Sequence, residues 1–457
     1  MQEPVTVDRR TVDRELLDFV MRTPRWFFRS SSLLGMVVAA GFVVFVITLN
    51  VGLQLLGYTH PVYWGFFTVN LVFWIGISHA GIMVSAILRL SQAEWRRPVT
   101  RAAEVLTIFS LMTAMTMPMI HSGRPWRTLY WEFPYDFMRG MWPNPRSPLV
   151  WDPAAIFTYL LSTIMFVYVA LIPDLALARD RAPDAVRKFG YGLLAMGFRG
   201  TTRQWRMQAV SGALLSAIIL PIFVSVHSIV SWDFAVTGLP GWHNTVFAPY
   251  FVIGAVHSGV SAVVMVTIIM RKIFKLQNYI TADHIDSLAR LLIAVAATWA
   301  FFLMLDFMFG LYGTEPTEVD VWMRRTMTMP WTLLAIVFIF CAFLIPVPMW
   351  LFRGVRRSFK WMFITTILVN VGMWLERYML IVPGLERKSS LTFQYGEYIP
   401  SWGDITVVVA TFALVAVGVL TFSKIFPIIP TADVKEGLIL ADKIKIGRVQ
   451  VPATRRE

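Results

Sequence analysis

His121 and Asp152 bracket the segment HSGRPWRTLYWEFPYDFMRGMWPNPRSPLVWD, with a histidine ending one apolar run and an aspartate opening the next. An imidazole of ordinary pKa about 6.5 beside a carboxyl raised by burial can take protons from a bound hydroxyl. Further ionisable residues fall in or beside other apolar runs: His79, His227, Asp233, His257, Asp306, Glu376, Arg377 and Asp404. A charge at the centre of a bilayer carries a penalty of about 2.5–3.5 kcal/mol on insertion scales, so each needs a partner or a task.

The elements that position them are set by composition. The chain has 457 residues, 56% hydrophobic and 15% charged. Apolar runs near 33–56, 62–88, 102–121, 151–172, 207–230, 246–270, 289–312, 328–352, 359–382 and 403–427 each approach or exceed the ~20 residues of a membrane-crossing helix. The expected fold is all-α and polytopic, with about ten transmembrane helices. Residues 1–31 read as a cytoplasmic segment, 32–427 as the membrane domain and 428–457 as a cytoplasmic tail. Glu3, Asp8, Asp13, Glu15 and Asp18 ahead of the first run fit poorly with a cleaved signal peptide.

The net charge of +13 is a topology signal rather than a nucleic-acid footprint. Of 41 Lys and Arg, 32 fall on the side shared by the termini and the even-numbered loops, and eight on the other. Both termini are therefore predicted cytoplasmic, with anionic lipid as the partner of the basic face. The His121–Asp152 segment faces outward. Its aromatic, Pro-rich and Arg-bearing composition suits an ordered surface covered by a partner. The single cysteine, Cys341, cannot ligate an iron–sulfur cluster alone. No HExxH or CxxC spacing occurs, so redox centres are expected in a partner.

A repeat is visible in GISHAGIMVSAILRL (76–90) and GAVHSGVSAVVMVTI (254–268), offset by 178 residues, or four spans. It predicts two similarly oriented four-helix bundles, spans two to five and six to nine, with two flanking helices. Chance likeness between small-residue helices is the alternative.

Following each span at ~1.5 Å per residue places His121, Asp152, His227, Asp233, Asp306, Glu376, Arg377 and Asp404 in the outer half, with His79 and His257 nearer the middle or inner half. Singly, each has a structural explanation. Asp152 could cap the fourth helix ahead of Pro153, Asp404 could cap the tenth, and Asp233 could be interfacial. Glu376 and Arg377, adjacent on one helix, are expected to pair elsewhere, with Asp306 a partner for Arg377. The histidines, one to a span and at different depths, argue against bis-histidine haem. Structural roles for all of them leave the shared depth unexplained. Tyr395 and Tyr398, in LTFQYGEYIPSWGD, could line an aromatic pocket.

The sequences HSGRPW, WPNPRSPLVWD, SWDF and PGWHNTVFAPYF resemble the NrfD-like (polysulfide reductase C type) membrane subunits, and most of all the larger quinol-binding subunit of bacterial alternative complex III. The likeness spans nearly all of the chain. It implies a quinol site near the periplasmic face beneath an iron–sulfur subunit, and no haem or iron–sulfur cluster held by this chain. On that resemblance His121, Asp152 and Asp233 are catalytic. His121, Asp152, Arg124, Trp126, Tyr395, Tyr398 and Asp404 bind menaquinol or ubiquinol. His227, Asp306, Glu376, Arg377, His79 and His257 form a proton path.

The first functional expectation is a quinol-oxidising subunit working with multihaem c-type cytochromes and a second NrfD-like subunit. A quinone-reactive anchor of a molybdopterin oxidoreductase is the second. A secondary transporter is the third, and no Gly/Pro-split pair of short spans speaks for it.

Overall fold

The structure, a computed structural model, describes residues 9–126, 146–387, 395–441, 443–446 and 449–452. Arg127 to Pro145, the middle of the outward loop, lies outside them, as does Lys388. Among the described residues ten helices are long and apolar enough to cross a membrane: Arg25–Val51, Phe66–Leu90, Thr100–His121, Pro148–Arg181, Thr202–Ala235, Phe247–Ile273, Ala282–Tyr312, Trp331–Leu351, Phe359–Leu385 and Trp402–Ile425. The shortest has 21 residues, which at 1.5 Å each just spans the ~30 Å hydrocarbon layer. They are called spans one to ten in that order.

Spans two to five form one ring, two on three, three on four, four on five and five back on two. Spans six to nine form the second, where six meets seven and nine, and eight packs on nine. The rings join where span two lies against span six, and the pair of spans one and ten flanks them, with span ten against spans three and two. The core of span two is 89% buried and that of span six 72%, against 17% for spans one and eight, so the repeated sequences make the centre and the latter two face lipid.

The repeat explains that contact. A Cβ added at Gly259 would stand 2.4 Å from Ala80 Cβ, and one at Gly76 would stand 3.4 Å from Ala255. Without side chains the two parallel helices approach closely, as membrane packing favours. The histidine in each copy is fully buried and stacked on a ring: His79 on Tyr159 at 4.9 Å and His257 on Trp299 at 5.4 Å. Span eight is interrupted by a π-helical turn, Phe340–Leu344, where His257 Nε2 lies 3.1 Å from the Ala342 carbonyl oxygen.

At the end of the bundles that holds the N-terminal segment, the helix Arg9–Met21 buries Val12, Leu16, Leu17 and Val20, and Lys424 Nζ caps its end by donating to the Phe19 and Val20 carbonyls at 2.8 and 2.7 Å. The tail forms the helix Thr431–Ala441 and an antiparallel hairpin, Lys443–Ile446 with Val449–Pro452.

Candidate functional site

Span four begins at Pro148 behind Ser147, because proline suits the first helical position and the apolar run starts there. Asp152 is therefore more than one turn inside the helix and does not cap it, contrary to the capping expectation. Span five continues to Ala235, so Asp233 is also helical rather than part of an interfacial loop. It stands in the last turn, where the helix dipole disfavours an acid.

Trp151 and Trp232 meet edge to face at 6.4 Å. The aspartates that follow them therefore lie within about one helical turn of each other in depth on the neighbouring, antiparallel spans. The indoles are 39% and 40% exposed toward lipid, whereas Asp152 and Asp233 are 7% and 8% exposed, turned into the first bundle. Two buried carboxyls beside a tryptophan pair thus gather at the same end of the bundle.

His121 closes span three, and its ring meets that of Tyr58 at 5.6 Å. Tyr58 touches Tyr398 at 5.6 Å, and Tyr398 touches Phe66 at 5.8 Å. The backbone N–H of Phe66 donates to the Tyr398 hydroxyl at 3.0 Å. Gly65 is required here, since a Cβ would lie 2.4 Å from the Tyr398 ring. Burial pushes the Tyr58 and Tyr398 phenols well up, and Asp404 adds to it, so both hydroxyls stay neutral. A second aromatic group, Trp64 stacked on Trp242 at 5.9 Å and edge-on to Phe234 at 5.2 Å, lies next to Asp233. Aromatic rings thus line this end of the bundles beside His121 and again beside Asp233.

Asp404 completes a capping box with Ser401, and its Oδ2 accepts from the N–H groups of Gly57 and Ser401 at 2.8 and 2.9 Å. Ser401, not Asp404, is therefore the N-cap of span ten, and Asp404 serves as its partner in the first turn, while Oδ1 is buried without a hydrogen-bond partner among the described residues. Tyr395 is 69% exposed and Tyr398 4%, so only Tyr398 joins the aromatic band. Arg124 is exposed and Trp126 is 52% exposed, both at the rim.

A second thread runs inward and sideways. His79 and His227 are in contact, ring centroids 4.7 Å apart, so these two histidines share a depth, which the sequence estimate did not give them. His227 faces Phe251 at 5.4 Å, and the Arg377 guanidinium lies over the same ring at 4.6 Å. Arg377 Nη1 is 3.1 Å from Glu376 Oε2, which corrects the expectation that neighbours on one helix must pair elsewhere. The long arginine side chain folds back around the helix. Asp306 is bonded instead by Asn244. Glu376 Oε1 accepts from the Tyr250 hydroxyl and from Trp299 Nε1, the latter at 3.1 Å. His257 reaches this thread through Trp299.

Buried charge is not confined to the outer half. At the inner ends of spans three and four, Arg101 (0% exposed) lies between Glu104 and Asp174 (1% each), with N–O distances of 3.4 and 3.0 Å. Ser85 donates to Glu104 at 2.5 Å, and Asp174 also accepts from the backbone of Thr431 and Ala432. Sequence reading assigned Arg101 to a basic loop. The closeness of Arg101 and Glu104, three apart on a helix, was the available signal.

Fold and site together define a multi-pass helical protein of the cytoplasmic membrane, with two bundles and a titratable, aromatic outer end. The chain belongs to the polysulphide reductase NrfD family, whose profile matches residues 54–387. It is 24% identical over 262 residues to a putative membrane subunit of dimethyl sulfoxide reductase from Halobacterium salinarum, covering 57% of this chain and 55% of that protein. It is 19% identical over 418 residues to a subunit of the selenate reductase of Mesobacillus selenatarsenatis, covering 86% of this chain and 94% of that one. The first match spans about half the length of its relative. Neither name is that of an alternative complex III protein, so the resemblance holds at the level of the family.

Proposed function

We propose that this chain is the quinone-reactive membrane subunit of a multisubunit oxidoreductase, of the type that anchors a molybdopterin reductase through an iron–sulfur partner. The observation that carries this reading is the burial of both Asp152 and Asp233 beside the contact of Trp151 with Trp232. A menaquinol or ubiquinol ring entering from lipid would be held by the apolar and aromatic walls. Asp152 and His121 would accept the two hydroxyl protons as the ring becomes a quinone, and two electrons would leave across the outer face to the partner. Asp233, at an unfavourable helix end, would pass protons outward.

The names of the two relatives favour a reductase anchor. The alternative complex III reading, with multihaem cytochromes and a second membrane subunit of the same family, is supported by HSGRPW and WPNPRSPLVWD. The proteins that purify with the chain separate the two. Within either complex, Asp152→Asn removes the proton acceptor and keeps the side-chain shape. We expect quinol oxidation to fall at least about a hundredfold, the lower range of general-base contributions. Normal turnover with normal quinol affinity would remove Asp152 from the site.

A further inference from the structure

A cavity of about 510 Å³ opens in the second bundle, between spans seven, eight and nine and the outer helix Pro316–Met327. It falls within the ~300–1,000 Å³ of small-molecule pockets. Leu303, Met304, Phe307, Ile336, Ile339 and Met379 are among its apolar walls. Met304, Phe307 and Ile336 are 59%, 41% and 50% exposed on the lipid-facing surface, so the mouth opens to the membrane.

The other end is polar. Asp306 (1% exposed) accepts at Oδ1 from Asn244 Nδ2, and its Oδ2 has no hydrogen-bond partner among the described residues. Arg325 (3% exposed) donates from Nη2 to the Leu380 carbonyl at 2.9 Å, and its Nε–H has none among them either. Glu376 and Tyr250, bonded to each other, complete that end. A buried charged group lacking one bond is strongly disfavoured unless something supplies it. Here one acceptor and one donor line the same cavity, and both belong to residues that the proposed quinol site does not use.

We infer that this cavity is a second ligand site, specific for the hydroquinone ring of a membrane quinol. The ring's O–H would donate to Asp306 Oδ2, and its oxygen would accept from Arg325 Nε. The isoprenoid tail would leave past Met304 and Ile336 into lipid. A phospholipid phosphate fits less well, because its charge would meet Asp306 and Glu376. The site binds, and no electron transfer is assigned to it.

The test uses the complex in native-membrane nanodiscs and a photoreactive azido-quinone, reduced before illumination, with labelled peptides mapped by mass spectrometry. We expect labelling in 300–312 and 331–343, competed by added quinol. Ala300→Phe, which fills the cavity, should abolish this labelling and leave quinol oxidation unchanged. Asp306→Asn, a second variant in case the first does not assemble, should weaken it about tenfold, the loss of one charge-assisted hydrogen bond. Asp152→Asn should leave it intact, which separates this site from the first. No labelling in these spans, labelling unchanged by both variants, or a phospholipid that quinol cannot displace would overturn the inference.

Discussion

His79 of span two and His227 of span five meet edge to face with ring centroids 4.7 Å apart, at the centre of the first bundle. Both are fully buried, and neither nitrogen of His227 has a hydrogen-bond partner among the described residues. Tyr159 stacks on His79, and Phe251 leads from His227 to Arg377, so the pair stands where the two bundles connect. His79 is fixed through Nδ1 on the Ile75 carbonyl oxygen, whereas His227, with no such bond among the described residues, can take up and hand on a proton without breaking a structural bond.

His227→Leu keeps most of the volume and removes both nitrogens. If the pair carries protons, turnover of the assembled complex falls at least about a hundredfold, the low end for a lost proton-transfer group, while subunit content stays normal. Unchanged turnover would leave the pair a packing element.

The contact between spans two and six depends on Gly259. Its added Cβ would meet Ala80 Cβ at 2.4 Å and the Ile77 carbonyl at 3.0 Å, and neither is a flexible side-chain end. Gly259→Ala should destabilise by about 1–3 kcal/mol, the usual range for overpacking. Thermal denaturation in detergent should show a lowered midpoint, with Gly35→Ala, where nothing lies within 4 Å, unchanged. Equal midpoints for the two variants would mean that the bundles are not held by this approach.

Tail docking should depend on pH. Asp433 is ion-paired with Arg96 at 3.0 Å, and Arg97 donates to the Asp433 carbonyl at 2.7 Å and to Glu436 at 2.7 Å. Burial pushes the Asp433 carboxyl up, but Arg96, Arg89 and Arg97 outweigh it and hold it below the usual range. A depressed folded pKa stabilises above the unfolded value of about 3.9 and is lost as pH falls through the folded value. Hydrogen exchange of residues 431–437, corrected for intrinsic rate, should stay protected from pH 7 to about 5 and lose protection below about 4. A profile flat to pH 3 would show that Asp433 does not hold the tail.

The ten spans could be read from the sequence because a bilayer requires long apolar helices, and the repeat because Gly and His recur at one offset. What could not be read depends on side-chain reach and exact helix ends. Asp152 looked like a cap because WDP suits one, yet Pro148 starts the helix a turn earlier. Arg377 pairs with its neighbour Glu376 because a long side chain can bend back where a Cβ direction suggests it cannot. Arg325 counted as a loop cation but is 3% exposed in the second-bundle cavity. Tyr395 and Tyr398 have like surroundings in sequence, and only the fold separates exposed from buried. The π-helical turn in span eight has one compositional sign, Pro346, which has no N–H to offer the Ala342 carbonyl.

Arg101 decides the stability of the inner end. It is wholly buried between Glu104 and Asp174, and it also donates to the Ala170 carbonyl at 3.1 Å. Removing one member of such a cluster leaves an uncompensated charge, and breaking a buried pair in this way costs about 3–5 kcal/mol. Arg101→Met should therefore cost about that much in a detergent unfolding titration and loosen the tail, which hangs on Asp174 through the N–H groups of Thr431 and Ala432. Adding Glu104→Leu to Arg101→Met takes away one stranded carboxylate and should recover part of the loss, because apolar replacement of a buried ion group is often neutral or stabilising. The cluster is then a structural lock, and quinol oxidation per assembled complex should be unchanged in the double variant. A double variant as unstable as Arg101→Met alone would place the cost in lost packing of the arginine stem rather than in stranded charge.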